Sequence, residues 1–490
     1  MSKYKYRSIK TNMILSFIKN MFGILYPIVT TLYIVRTLGK DTYGHVHYIR
    51  SIVSYFSLLA GLGTETYGIR EGARLRENRI EFEKFSNELF TISIVSSCSA
   101  IILLFLFITW FNKANKISDY VLFSIFCLPI ALTAVGRDWI NVVYEDYLYI
   151  TIRYIITSLI SIGFLFVFVK SENHFSQYAF FLCLPTCSYQ LLNVFFVRRY
   201  CKLAFSKISD CIKHIKSIFI LFSITVASTI YLSSDTTLLG FMINDEAVAI
   251  YSVASQVYVG IKLLTGTVIA VTIPRLSFYI GNNEFDASST LVNKLLDYSI
   301  VLLIPSTIGL IELSKPIMLF MGGEAYLEGT SVLCVFSISL IFAALANILA
   351  RCIVVPFKED KMFLKATIIS ALVNIGLNFV FIPQLSYLGA AITTLISEVI
   401  MFLILLRTSL KKMKLIVRIK SFGTAITGCI PIIIVCEIIK RVIDNVVLEI
   451  IISVFLGILL YYCVLALFHH PIGEDIKSFA MKIKKILIKH

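Results

Sequence analysis

Fourteen runs of predominantly apolar residues, most of them about twenty residues long, follow one another along this chain with only short polar segments between them. No other feature limits the possible folds so severely. About twenty residues of α-helix, rising 1.5 Å each, cross the ~30 Å hydrocarbon layer of a bilayer. That layer offers no water to backbone N–H and C=O groups, so each run must close its own hydrogen bonds as a helix. The runs lie at 12–36, 44–64, 88–110, 118–136, 149–169, 177–197, 217–241, 248–272, 299–320, 330–350, 364–383, 388–407, 421–439 and 447–468. Composition agrees, with 58% hydrophobic and 15% charged residues in 490, against roughly 25% charged in soluble domains. The expected fold is an all-α membrane protein with 14 transmembrane helices.

The formal net charge of +15 raises the question of a nucleic-acid partner. The basic residues, however, sit in short loops between apolar runs rather than on a folded basic face, so no nucleic acid is expected. Placing the N-terminus in the cytoplasm puts most of the 45 Lys and Arg on that side, including Arg70, Arg74, Arg76 and Arg79, then Arg198, Arg199 and Lys202, then Lys411, Lys412 and Lys414. Juxtamembrane positive charge is retained on the cytoplasmic side during insertion, so both termini are expected inside. The opening MSKYKYRSIK is basic, but the apolar run after it holds Lys19 and Pro27, continues to Val35 and has no small-residue cleavage site. It reads as a first membrane helix rather than a removed signal. The 11 cysteines lie mostly inside apolar runs and form no CxxC pair. They read as small buried residues, with no metal site.

The longest basic loop, 198–216, separates two sets of six runs. The expected organisation is an N-terminal lobe at 1–200, a basic cytoplasmic linker at 201–216, a second lobe at 217–410, an appended helix pair within 411–468 and a cytoplasmic tail at 469–490. Tyr43-Gly44 and Tyr251-Ser252 stand at corresponding places in the two halves. Six helices per half would relate the lobes by an axis along the membrane normal. All the outer segments, 37–43, 111–117, 170–176, 242–247, 321–329, 384–387 and 440–446, are short. They leave no room for the catalytic outer loop of a polymerase or ligase of lipid-linked sugars, and no GxxxxGK[ST] phosphate loop occurs. The chain is therefore not expected to be an enzyme or to carry a cofactor.

Ionisable residues within the runs are the candidates for function, because a charge at the centre of a bilayer costs about 2.5–3.5 kcal/mol on insertion scales. Lys19, Arg36 and Arg50 fall in or beside the first two runs and Lys262 near the middle of the eighth. Each either snorkels to an interface or lines a watery lumen, and Lys262 is the deepest. Lys19, Tyr26 and Tyr33 recur every seven residues and share one stripe of the first helix, while His47, Arg50 and Ser54 share a face of the second. Cations interleaved with tyrosines and hydroxyls suit an anion with attached sugar rings; a polar seam between helices would look partly similar. Asp235, Asn374, Asn378 and Thr394, with Thr393 and the mid-span Glu398, offer the oxygen ligands that Na⁺ prefers, or a carboxylate for H⁺. The competing reading is that the asparagines bond neighbouring helices.

Arg137-Asp138-Trp139-Ile140, followed by Tyr144-Glu145-Asp146-Tyr147 and then Ile150-Thr151-Ile152-Arg153, resembles the segment after helix 4 in bacterial O-antigen and polysaccharide repeat-unit flippases. Gly68-Ile69-Arg70-Glu71 and Leu388-Gly389-Ala390-Ala391 are similar to motifs spread more broadly through the multidrug/oligosaccharidyl-lipid/polysaccharide (MOP) exporter superfamily. The resemblance implies two pseudo-symmetric six-helix lobes plus two C-terminal helices in the cytoplasmic (inner) membrane of a bacterium. It implies transport of an undecaprenyl-pyrophosphate-linked oligosaccharide to the outer leaflet by alternating access. By similarity to the lipid II flippase branch, Lys19, Arg36, Arg50 and Lys262 would meet the pyrophosphate. Tyr26, Tyr33 and His47 would contact sugars, and Asp235, Asn374, Asn378, Thr394 and Glu398 would couple Na⁺ or H⁺. Partners on this reading are the lipid-linked glycan, membrane lipids and a polysaccharide polymerase or chain-length regulator. The alternatives are a multidrug/cation antiporter of the same fold and a membrane polymerase or ligase.

Overall fold

In the computed structural model, which describes residues 9–111, 117–282, 284–416 and 418–474, the chain is built from α-helices and contains no strand among the described residues. In chain order the helices are α1 (Ile9–Gly61), α2 (Thr64–Leu75), α3 (Arg79–Phe111), α4 (Ile117–Gly136), α5 (Asp138–Val143), α6 (Tyr147–Phe168), α7 (Phe175–Val197) and α8 (Ile208–Met242). There follow α9 (Asp245–Gly281), α10 (Phe285–Glu312), α11 (Ser314–Gly322), α12 (Gly329–Leu349), α13 (Asp360–Leu410), α14 (Ile419–Val442) and α15 (Val446–Leu467). Every apolar run named above falls on helix. Eleven helical segments among the described residues are long and apolar enough to cross a bilayer, and the chain is a multi-pass membrane protein.

Two of these segments each carry two of the expected runs. α1 is broken at Gly39 (φ 75°, ψ 172°) and α13 at Ser386 (φ 51°, ψ −132°). The expected loops 37–43 and 384–387 are thus sharp single-residue kinks. Gly39 sits at positive φ, where a Cβ would be strained.

The chain forms two compact units, 1–252 and 253–490, with the boundary inside α9. The basic segment 201–216 is not that boundary, because α8 packs on α1, α2 and α3 in the first unit. A ladder of hydroxyls joins α8 to the second half of α1: Ser51–Thr237 at 2.8 Å, Ser54–Ser233 at 3.0 Å and Tyr55–Thr237 at 3.1 Å. Near the start of α8, the buried Glu88 of α3 takes Lys213 at 2.9 Å and His214 at 2.8 Å, and His214 also meets the Tyr67 hydroxyl at 2.9 Å.

The motif Arg137–Arg153 is the hub of the first unit. Trp139 lies across α2, where a methyl on Gly68 would come within 2.6 Å of its ring and one on Gly72 within 2.8 Å. Two glycines four residues apart thus form a flat seat for the indole, backed by Phe82 and Phe85. Gly68→Val or Gly72→Val should destabilise the protein by about 1–3 kcal/mol through overpacking. The check is thermal unfolding of the purified protein, and an unchanged melting temperature would contradict the seat.

In the second unit α12 packs along α13, while α10, α11, α14 and α15 share an apolar core of Val301, Leu313, Ile432, Cys436, Tyr461 and Leu465. The expected tail begins by folding back on this group, with His470 3.2 Å from Ser421 and 3.6 Å from Asp297. Its remainder, 475–490, lies outside the described residues.

Candidate functional site

Arg50 borders a cleft of mixed polarity within the first unit. It stands on α1 past the Gly39 kink and is exposed. The cavity of about 190 Å³ that it borders is also lined by Ser54 and Ser57 of α1, Phe126 and Pro129 of α4, and Cys183 and Thr186 of α7. The cleft thus sets one guanidinium and three hydroxyls against an apolar wall that also includes Val53 and Leu182. Arg50 is close enough to act electrostatically on Tyr26, Tyr43, His47 and Cys183. A guanidinium matches a phosphate oxygen pair in geometry and charge, so this cleft can bind an anion and offer its hydroxyls to a polyol.

The aromatic residues expected near the cations are bonded into the helices around them. Tyr26 is buried, its hydroxyl 3.0 Å from Ser161 Oγ of α6. Tyr33 donates to the Val169 carbonyl at 2.7 Å and packs on Phe166. His47 lies 3.3 Å from the Tyr178 hydroxyl and against the Tyr43 ring. Their polar atoms therefore tie α1 to α6 and α7. Thr30 of the same helix donates to the Tyr26 and Pro27 carbonyls at 2.9 and 3.0 Å.

Arg36 is exposed near the end of the first part of α1, and Lys19 is half-buried nearer its start. Lys19 is one of the charges acting on Asp138, the first residue of α5. Burial lifts the Asp138 carboxyl to about 6, against the opposing pull of Arg153 at 2.7 Å. Arg153 is itself buried, its guanidinium over the rings of Tyr149 and Tyr189. The two ends of the 137–153 motif are thus bonded to each other.

In the second unit Lys262 and Glu398 form an ion pair at 2.5 Å. Tyr258, stacked on Phe336, donates to the same Glu398 oxygen at 3.0 Å and receives Lys262 at 3.3 Å. Glu398 is buried and Lys262 keeps about a quarter of its side chain exposed. The pair joins residues 136 positions apart, which is why sequence inspection finds no local partner for Glu398.

The oxygen-rich residues divide between the two units. Asp235 is buried in the first and accepts from Tyr251 at 2.5 Å. In the second, Asn378 donates to Asn374 at 3.3 Å, Asn374 to Thr393 at 3.5 Å and Thr393 to Asn378, so these side chains bond to one another. Thr394 bonds the Ala390 carbonyl of its own helix at 3.0 Å. His45 was not singled out by the sequence, yet it meets two carboxylates, Asp119 at 2.9 Å and Asp245 at 3.0 Å. The available signal was an acidic residue in the first turn of both α4 and α9.

Comparison with known proteins follows the same lines. Residues 9–279 match the family described as polysaccharide biosynthesis protein. A Shigella dysenteriae protein named "Putative O-antigen transporter" is 22% identical over 401 residues, covering 81% of this chain and 99% of the relative. Among solved structures, the lipid II flippase MurJ in an inward closed conformation superposes with a TM-score of 0.73, at 19% identity over 94% of this chain and 99% of that one. An inward-facing multidrug resistance transporter of the MATE family gives 0.61, at 14% identity over 81% of this chain and 97% of that one. At such identities the likeness is one of architecture, that of the MOP superfamily.

Proposed function

We propose, from the premise that this chain belongs to the polysaccharide biosynthesis protein family, that it is a flippase for a lipid-linked glycan in the bacterial cytoplasmic membrane, with both termini cytoplasmic. The observation that carries this reading is the Arg50 cleft, a cation beside Ser54, Ser57 and Thr186 in a membrane-spanning unit. A diphosphate-linked sugar is both charged and heavily hydrated, and its head group cannot cross hydrocarbon unaided. A lumen that supplies a guanidinium to the diphosphate and hydroxyls to the sugars replaces the lost water.

On this reading undecaprenyl pyrophosphate carries the glycan. Its tail stays in the lipid while the head group moves by alternating access. Within the second unit Lys262 is a candidate anion contact in its own right, and its bond to Glu398 sets a competition: an anion there must displace a carboxylate held at 2.5 Å. Glu398 then loses its counter-charge inside the protein and gains a proton or a cation, which would couple transport to an ion gradient. A relative named as an O-antigen transporter and a solved lipid II flippase of like fold support a role in movement rather than catalysis.

The test is topological. In cells of a glycan-producing host lacking its own flippase, this chain should make the lipid-linked repeat unit accessible to a membrane-impermeant lectin on spheroplasts. Repeat units that stay inaccessible while the protein is present in the membrane at normal levels would overturn the proposal.

A further inference from the structure

We propose that His45, Asp119 and Asp245 form a proton-binding site that latches one end of the first unit. His45 follows the Gly39 kink on α1. Its Nε2 lies 2.9 Å from Oδ1 of Asp119 in the first turn of α4, and its Nδ1 lies 3.0 Å from Oδ2 of Asp245, the first residue of α9.

Counting protons carries the argument. An ionised carboxylate only accepts hydrogen bonds, and a neutral imidazole has one N–H and one bare lone pair. A neutral ring between two carboxylates would therefore make one bond and turn its lone pair toward the other oxygen. Both contacts are at hydrogen-bonding distance, so the trio holds one proton more than a neutral histidine with two carboxylates. We place that proton on the ring, where a single imidazolium answers both charges. Among the described residues the titratable groups facing the ring are Asp119 from α4 and Asp245 from α9, and Tyr48 on His45's own helix senses both carboxylates. All three members of the site are at least partly sheltered, with side-chain exposures of 21%, 9% and 29%.

The surrounding backbone is closely packed. A methyl on Gly44 would fall 1.8 Å from the Asp245 carbonyl oxygen, so α1 and the start of α9 meet backbone to backbone. His45, Asp119 and Asp245 all belong to the first unit, so the proton ties α1, α4 and the start of α9 together within it. Losing it removes one charge-assisted bond and sets a lone pair against a carboxylate. The α8–α9 turn is then held chiefly by the hydroxyl ladder and by packing. On the positive-inside reading this end faces outward, so external protons would load the site. The inference stands apart from the identity of the cargo.

The test uses the full chain in lipid nanodiscs with ¹⁵N-labelled histidine, the His45 signal being the one of seven that disappears in His45→Gln. At about pH 7.5, where an unperturbed histidine is mostly neutral, both His45 ring nitrogens should be protonated. In the double variant Asp119→Asn with Asp245→Asn the ring should revert to a neutral tautomer. Hydrogen exchange across 38–48 and 240–250, corrected for intrinsic rates, should rise roughly tenfold between about pH 6 and pH 9 in the natural protein as the latch is lost, and stay flat in the double variant. A neutral wild-type ring at pH 7.5, or the same imidazolium signal in the double variant, would overturn the proposal.

Discussion

Replacing Lys262 with methionine is expected to destabilise the protein by about 3 kcal/mol, as breaking a buried ion pair does when one charge is left behind. Glu398 is the more deeply buried partner, so it is the one stranded, with the Tyr258 hydroxyl at 3.0 Å as its remaining partner among the described residues. Glu398→Gln should cost less, because Lys262 is partly exposed and can reach water along its flexible stem. The double variant Lys262→Met with Glu398→Met should recover most of the loss, since an apolar pair of similar volume replaces a pair of charges. Transport should be lost both in Lys262→Met and in the stable double variant. Thermal unfolding and surface-glycan assays on all four proteins separate the two roles. If the double variant is no more stable than Lys262→Met, the ion pair is not what holds these helices; if the double variant transports normally, Lys262 does not handle the cargo.

The second large effect is at Arg50. Reversing its charge, Arg50→Glu, should abolish glycan export while leaving the protein folded, because the side chain is exposed to its cleft rather than packed. Truncating one partner of a desolvated charge contact typically costs about 2–5 kcal/mol in binding, and reversal adds repulsion to that. Arg50→Lys should retain part of the activity, since it keeps the charge and loses the two-pronged geometry. The readout is surface polysaccharide against the amount of protein in the membrane. Wild-type export by Arg50→Glu would remove the cleft from the mechanism.

Most of the architecture was legible because the bilayer allows few choices: each long apolar run had to be a helix, and each one is. What stayed hidden was contact between distant residues. Helical spacing placed Lys19, Tyr26 and Tyr33 on one stripe, but periodicity cannot say which neighbouring helix a stripe meets. Tyr26 and Tyr33 are bonded toward α6. Glu398 looked partnerless because its partner is 136 residues away. Gly68 read as part of a family motif and Gly72 carried no signal of its own; the Trp139 ring above them explains why a side chain would not fit. α8 read as the start of the second lobe because its serines and threonines carry no periodic label that assigns them to α1.

Those serines and threonines have a further property. Each also has an acceptor on its own helix, Ser51 the Tyr48 carbonyl at 2.7 Å, Ser54 the Ser51 carbonyl at 2.6 Å and Thr237 the Ser233 carbonyl at 3.0 Å, to which its single proton can turn instead. Were α1 and α8 to draw apart, these hydroxyls would keep an acceptor at home instead of standing orphaned in oil. Separation would then forfeit only the net worth of each crossing bond, about 0.5–1.5 kcal/mol, and the bared surfaces would tolerate lipid or water equally. A seam made this way can be opened and resealed many times without either face becoming adhesive to the wrong neighbour.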